Sequence, residues 1–292
     1  IIMESGVCKM KCMFDKCYDA VKFANDSKTF GIYYSEKQNP DLNIHIHDCC
    51  EILCCLHGGK NFLINDRVYD VSDGDLFIIN QFEAHKITFD PDKVFARFVM
   101  QVHPEFLYAS STEQTDLSHC FYSRGFDCAN RISLTDEELK RLCSLFMRLG
   151  EDYTFGDDIT KNLLATETLV YVNTLFILRK SQPRVIGDRS VQKAIEYINK
   201  NYSEPISLAD VSAEAYVSVN QLCRLFNRYC GTTVSKYITS KRITEAKKLL
   251  SSGKSVTDAA LMCGFDDYAN FIRVFKKHVG TTPGKYGKHG NL

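Results

Sequence analysis

The sequence predicts an α+β multidomain chain, with an N-terminal antiparallel β-barrel, a helical segment, and a C-terminal all-α region built as a tandem helix-turn-helix. Three observations carry this. Short Val-, Ile- and Phe-rich runs separated by turn clusters occupy the part after residue 30. Apolar residues then change to helical spacing. Beyond a polar stretch containing Pro183 and Gly187, no alternating segment recurs. A length of 292 residues accommodates more than one core.

Taken in order, residues 1–30 mix Lys, Asp, Asn and Cys without a period and read as an arm. Residues 31–132 read as the barrel, with runs such as "NFLIND", "RVYDV", "DLFIIN" and "VFARFVMQV" punctuated by "GG", "SDGD" and "DPD". Residues 133–180 read as a helical dimerisation segment. Thr135-x-x-Glu138 is a capping-box pattern, followed by Leu139, Leu142, Phe146 and Leu149 at helical spacing, and a second run extends from about Asp158 to Arg179. These two helices carry more apolar face than one barrel covers, which predicts a homodimer. Residues 181–190, "SQPRVIGDRS", read as the linker.

Residues 191–289 contain one layout twice. Ser207 caps a short helix, a turn falls near Tyr216, and Ser218 caps a helix carrying Leu222, Leu225 and Phe226. Ser255 caps a second short helix, Gly264 sits where a turn needs positive φ, and Asp266 caps a helix carrying Phe271, Val274 and Phe275. Between them, a helix from roughly Val234 to Leu250 spans about 25 Å, enough with its flanks to hold two reading helices one turn of B-DNA apart, about 34 Å.

Charge supports a polyanionic partner for this region alone. Residues 190–292 hold 15 basic and 8 acidic side chains, a net of +7, whereas residues 1–189 carry 21 and 28, a net of −7. Composition excludes a disordered or fibrous chain, at 45% hydrophobic and 25% charged. No run approaches a membrane span, and the N-terminal "IIMESGVCKMKC" lacks the apolar core of a secretory signal, so a cytoplasmic location without membrane contact is expected. The 13 scattered cysteines suit buried reduced thiols better than a disulfide framework.

The strings "AIEYINKNYSEPISLADVS", "SVNQLCRLFNRYCGTTVSKYITSKRITEAKKLL" and "VTDAALMCGFDDYANFIRVFKKHVGTTPGKY" together resemble the AraC/XylS-type transcription regulators, in register from about Val191 to Tyr286. The resemblance implies double-stranded DNA and RNA polymerase as partners. It places base contacts on Asn220, Cys223 and Arg224 of the first reading helix and on Tyr268, Ala269, Asn270 and Arg273 of the second. Asn suits adenine, Arg suits guanine or phosphate, and Ala suits the thymine methyl. Arg228, Lys276 and Lys277 suit phosphate contacts. Two residues depart from the family pattern: Tyr216 stands in the first turn where small or polar residues are common, and Gly287 replaces an Arg common after "P-x-x-Y".

In "NIHIHDCCEILCCLHGG", His45, His47 and Glu51 are separated by even numbers of residues. One extended strand would put them on one face with Cys49, Leu53 and Cys55. With Gly74, Asp75 and the later His85, the pattern resembles the two motifs of a cupin barrel, although "NQFEAH" lacks the PxG of the second. His45, His47, Glu51 and His85 are therefore candidates for binding a small-molecule effector, with a sugar or related metabolite as the class the resemblance implies. They are also candidate ligands for a divalent metal, or structural polar groups. No cofactor is required on this reading. Phe62, Tyr69 and Phe77 read as core. The pairs Cys49-Cys50 and Cys54-Cys55 should point to opposite faces, which does not suit a zinc site. No P-loop, G-x-S-x-G, dinucleotide-binding glycine run or H-E-x-x-H occurs. The expected function is a non-enzymatic, effector-responsive DNA-binding transcription regulator. The alternative is a metal-dependent cupin enzyme or metal sensor fused to a DNA-binding module.

Overall fold

The computed structural model describes residues 12–37, 44–90, 92–123, 130–179 and 188–289. A helix α1 (Cys17–Ser27) precedes seven strands: β1 (Phe30–Lys37), β2 (Cys50–His57), β3 (Gly59–Ile64), β4 (Arg67–Asp70), β5 (Asp75–Ile79), β6 (His85–Phe89) and β7 (Phe95–Val102). Short helices α2 (Pro104–Ser110) and α3 (His119–Tyr122) follow, then β8 (Arg131–Ser133), α4 (Asp136–Leu149) and α5 (Asp157–Leu178). Seven further helices complete the chain: α6 (Arg189–Asn201), α7 (Leu208–Glu214), α8 (Val219–Cys230), α9 (Val234–Ser251), α10 (Val256–Met262), α11 (Tyr268–Val279) and α12 (Pro283–His289).

The strands form a five-stranded sheet, ordered β1-β7-β2-β5-β8, and a three-stranded sheet, ordered β4-β3-β6. Period-two alternation divides the five-stranded sheet between two cores. Tyr33, Leu53, Cys55, Phe77, Phe95 and Val99 meet Phe62, Ile64 and Ile87 of the smaller sheet. Ile32, Ile52, Cys54, Ile78, Phe98 and Met100 turn the other way, onto Leu142, Phe146, Leu169 and Val172 of α4 and α5. Cys54 and Cys55 thus face opposite cores, and Phe62, Tyr69 and Phe77 are wholly buried, as their spacing and type suggest.

The capping box at the start of α4 is present, with Thr135 and Glu138 each bonding the other's backbone N–H. On α5, Asn173 accepts from Cys120 N at 2.9 Å and donates to Leu117 O at 3.0 Å, which ties α3 to α5. The reverse face of α5 leaves Ile159, Leu163, Val170 and Ile177 exposed. No helix among the described residues is long and apolar enough to cross a membrane.

Several local expectations are corrected. The arm contains an ordered helix, α1, whose Ala20 and Ala24 are buried; residues 1–11 lie outside the described residues. The barrel span holds two helices, α2 and α3, that short apolar runs did not reveal. Seven residues of the linker, 181–187, lie outside the described residues. The cap of α11 is Asp267, not Asp266: at φ −109°, ψ 112° its carboxylate accepts from Ala269 N and Asn270 N, the geometry a cap needs.

The C-terminal helices also touch the barrel. Leu63 of β3 and Val68 of β4 share a core with Val191, Ile195, Leu222, Phe226 and Tyr237. Tyr237 Oη donates to Asn65 O at 2.7 Å.

Candidate functional site

Two groups of residues combine unusual chemistry with defined placement. The first lies in the helical region. Ser207, Ser218 and Ser255 cap α7, α8 and α10, each accepting from the amide three residues on, so the short helices begin where their caps dictate. Leu222, Phe226 and Cys230 bury one face of α8, and Phe271 and Phe275 one face of α11. Helical periodicity then drives the remaining positions outward. Asn220, Cys223, Arg224 and Arg228 are exposed on α8. On α11, Tyr268, Ala269, Arg273, Lys276 and Lys277 are exposed, while Asn270 is half-buried and accepts from Arg273 Nη2 at 2.8 Å. The last turn of α11 carries Lys276, Lys277 and His278, a cationic end. Such a surface offers hydrogen-bonding side chains to base edges and ammonium groups to phosphates.

The two turns achieve the same chain reversal differently. Gly264 has φ +74°, and a Cβ there would lie 2.5 Å from Ser203 O. Tyr216 adopts the left-handed region at φ +57° with its side chain in solvent, and Lys193 Nζ sits 3.9 Å from its ring centroid. The departure from a small turn residue is thus accommodated by open space and a cation–π contact.

The second group sits at one end of the barrel. The strand expected over residues 45–55 is broken: His45 forms an isolated bridge with His85, with backbone bonds of 3.1 and 3.0 Å, and β2 begins only at Cys50. A bend at residues 48–49 lets His47 fold back, its Nδ1 against Cys49 O and its Nε2 3.0 Å from Glu51 Oε2. Cys49 therefore leaves the face expected of it and points to Asn25 Oδ1, 3.3 Å away. Ligand atoms of His45, His47, Glu51 and His85 nevertheless all lie within 4.8 Å of one another.

Glu51 and His85 are buried, at 3% and 2% exposure. Burial alone would raise the Glu51 carboxyl, but the charge of His85 and the hydrogen bond from His47 outweigh it and hold it well below the usual carboxylate range. Burial would lower His85, and the Glu51 charge reverses that, leaving its imidazole above its ordinary value. Gln101 Nε2 donates to Glu51 Oε2 at 2.6 Å. His85 Nδ1 is held by Glu83 O at 2.8 Å, so its Nε2 points into the cluster, 3.7 Å from Glu51 and without a hydrogen-bond partner.

Sequence reasoning missed Gln101, and also Asp48 and the buried Lys247, whose Nζ lies 2.8 Å from Asp48 Oδ1 beside the cluster's turn. Gln101 had a signal, as a polar residue at even spacing from Val99 and Phe95 in a strand that is otherwise mostly apolar. Lys247 had none, since "KK" in a helix reads as a solvated face.

Residues 29–169 match the AraC-like ligand binding domain, and residues 211–289 match a helix-turn-helix domain. The chain belongs to the AraC family of transcription regulators. Within this family it is 26% identical over 272 residues to the uncharacterized HTH-type transcriptional regulator YdeC of Bacillus subtilis, covering 87% of this chain and 90% of that protein. It is 24% identical over 244 residues to the HTH-type transcriptional activator RhaR of Shigella dysenteriae, covering 83% and 86%. Among solved structures, a transcriptional regulator with an AraC-type DNA-binding domain from Chromobacterium violaceum is 32% identical, covering 35% of this chain and 93% of that one, with a TM-score of 0.34. As an AraC-family member, the chain is a DNA-binding transcription regulator that carries a ligand-binding domain.

Proposed function

We propose that a small-molecule effector binds at His45, His47, Glu51 and His85 and adjusts how Asn220, Cys223, Arg224, Tyr268, Ala269, Asn270 and Arg273 read duplex DNA, with Arg228, Lys276 and Lys277 on phosphates. The observation that carries this is the buried cluster itself, where three imidazoles and a carboxylate converge and one imidazole nitrogen has no hydrogen-bond partner. Buried polar groups without partners are costly unless something else satisfies them. A polar metabolite such as a sugar supplies hydroxyls for that purpose. A thermal-shift screen of the full chain against monosaccharides and other small polar metabolites tests the reading. One class should raise Tm by several degrees in the native protein and not in His85→Ala; equal shifts in both would place the effector elsewhere.

A second reading is favoured by the donor set. Three imidazoles and one carboxylate within 4.8 Å of one another fit a divalent transition metal, with Gln101 steadying Glu51 behind it. A bound metal would supply a fixed positive centre for an effector oxygen. Metal analysis of the purified protein separates this reading from the first, and turnover of a substrate by a metal-loaded form would favour the enzymatic alternative. The regulator names of the relatives support a non-enzymatic role.

The working form in this proposal is a cytoplasmic homodimer. The exposed stripe of Ile159, Leu163, Val170 and Ile177 supports it, because these side chains recur at intervals of four and seven along α5. Sedimentation should show a dimer at tens of micromolar, and charged substitutions at Leu163 and Val170 should give a monomer. RNA polymerase as a partner rests on the family likeness alone.

A further inference from the structure

Lys247, on the linking helix α9, is wholly buried, although lysine is among the residues least often found inside a protein. An ammonium has three protons to donate and is stable in a protein interior only when they are used. Here two go to carbonyls of the barrel, and the charge is paired with a barrel carboxylate. Nζ lies 2.8 Å from Asp48 Oδ1 and donates to His47 O at 3.2 Å and to Gln81 O at 2.9 Å. The ring of Tyr286 on α12 lies beside it, 5.5 Å from Nζ to centroid.

The acceptors belong to two separate turns. His47 and Asp48 lie in the turn before β2, and Gln81 in the turn between β5 and β6. These same turns deliver the effector-site side chains, His47 from the first and His85 just after the second. Ten residues earlier on α9, about 15 Å along its axis, Tyr237 bonds Asn65 O, and Asn65 in turn donates its backbone N–H to Ala84 O and accepts from Ala84 N on its side-chain Oδ1, Ala84 being the neighbour of His85. One helix therefore touches the scaffolding of the barrel site at two points while also joining the two DNA-reading units.

We propose that Lys247 is a latch through which occupation of the His47/Glu51/His85 site governs the position of the linking helix and of the two reading helices it carries. The latch deepens the effector-site reading above and rests on it for the identity of the site. A group bound between His47 and His85 changes the separation of the two turns, and the three oxygens around Lys247 Nζ cannot all keep their distances when that separation changes. Ligand and docking then compete or cooperate through a difference in contacts, as coupling between sites requires.

The test is hydrogen exchange on the full-length chain, with Lys247→Met, Asp48→Asn and, as a control on the same turn of helix, Lys248→Met. Without ligand, Lys247→Met should speed exchange by about tenfold or more at residues 45–49, 80–85 and 243–251 together, and Lys248→Met should not. Asp48→Asn keeps the helix sequence intact and should speed the same segments, so the proposal remains testable if Lys247→Met does not fold. Wild-type exchange at 45–49 and 80–85 in both latch variants would overturn the latch. Zinc ion is the probe of the coupling. It should slow exchange at both turns and alter it in α9 of the native protein, while in Lys247→Met it should slow the turns and leave α9 silent. Zinc that slows the turns of the native protein without changing α9 would also overturn the latch. Zinc that binds neither protein would contradict the metal reading of the site alone, and the ligand-free exchange would then decide the latch.

Discussion

The two helix-turn-helix units share a layout and differ where each meets its surroundings. In the first, α8 packs its Leu222 and Phe226 into a core that includes Leu63 and Val68 of the barrel, and the turn residue Tyr216 stands in open solvent. In the second, Ile243, Leu250, Ala259, Phe265, Phe271 and Phe275 form a core drawn from the C-terminal helices alone, and the turn residue Gly264 is pressed against the backbone of Ser203. A turn with positive φ thus accepts a tyrosine where its Cβ has space and demands glycine where it does not. The comparison also assigns the units different neighbours: the linking helix contributes to both cores, but only the core of the first includes barrel residues.

Substitutions at matched positions test this contrast, and the largest effect is expected at the crowded turn. Gly264→Ala combines a disfavoured φ with a backbone overlap and should destabilise the domain by about 2 to 3 kcal/mol in denaturant unfolding. Next in size, Arg273→Ala should weaken binding to a selected duplex by about 1 to 3 kcal/mol and reduce discrimination at one base position, as measured by titration against the selected and a scrambled duplex. Smaller again, Asp267→Ala should cost about 1 kcal/mol of stability through loss of the α11 cap, while Asp266→Ala stays within about 0.5 kcal/mol. The smallest effect belongs to the open turn. Tyr216→Gly relieves the left-handed backbone and loses the contact with Lys193, two terms of about 1 kcal/mol or less that oppose each other, so unfolding should scarcely change. Equal costs at Gly264 and Tyr216 would erase the distinction between the turns.

What could be read from the residues was what local chemistry decides. Serine caps at Ser207, Ser218 and Ser255, the capping box at Thr135, and the opposite faces of Cys54 and Cys55 follow from rules spanning a few residues. The choice between Asp266 and Asp267 was not decidable that way, because adjacent aspartates offer the same carboxylate and only the backbone angles separate them. The four-residue cluster was legible as a set, but the reason given for it was incomplete. His47 reaches Glu51 through a bend and not through a continuous strand, and His85 arrives from the start of β6. Lys247 was out of reach altogether, since its burial depends on contacts about 166 and 200 positions away in the chain.

The claim that both units read one duplex is tested most directly by footprinting the full-length protein on a duplex selected from a random library. The account predicts two protected major-groove patches on one face, about 10 base pairs apart, with Arg224→Ala and Arg273→Ala each weakening a different one. A single protected patch, or two patches that both survive Arg273→Ala unchanged, would contradict it.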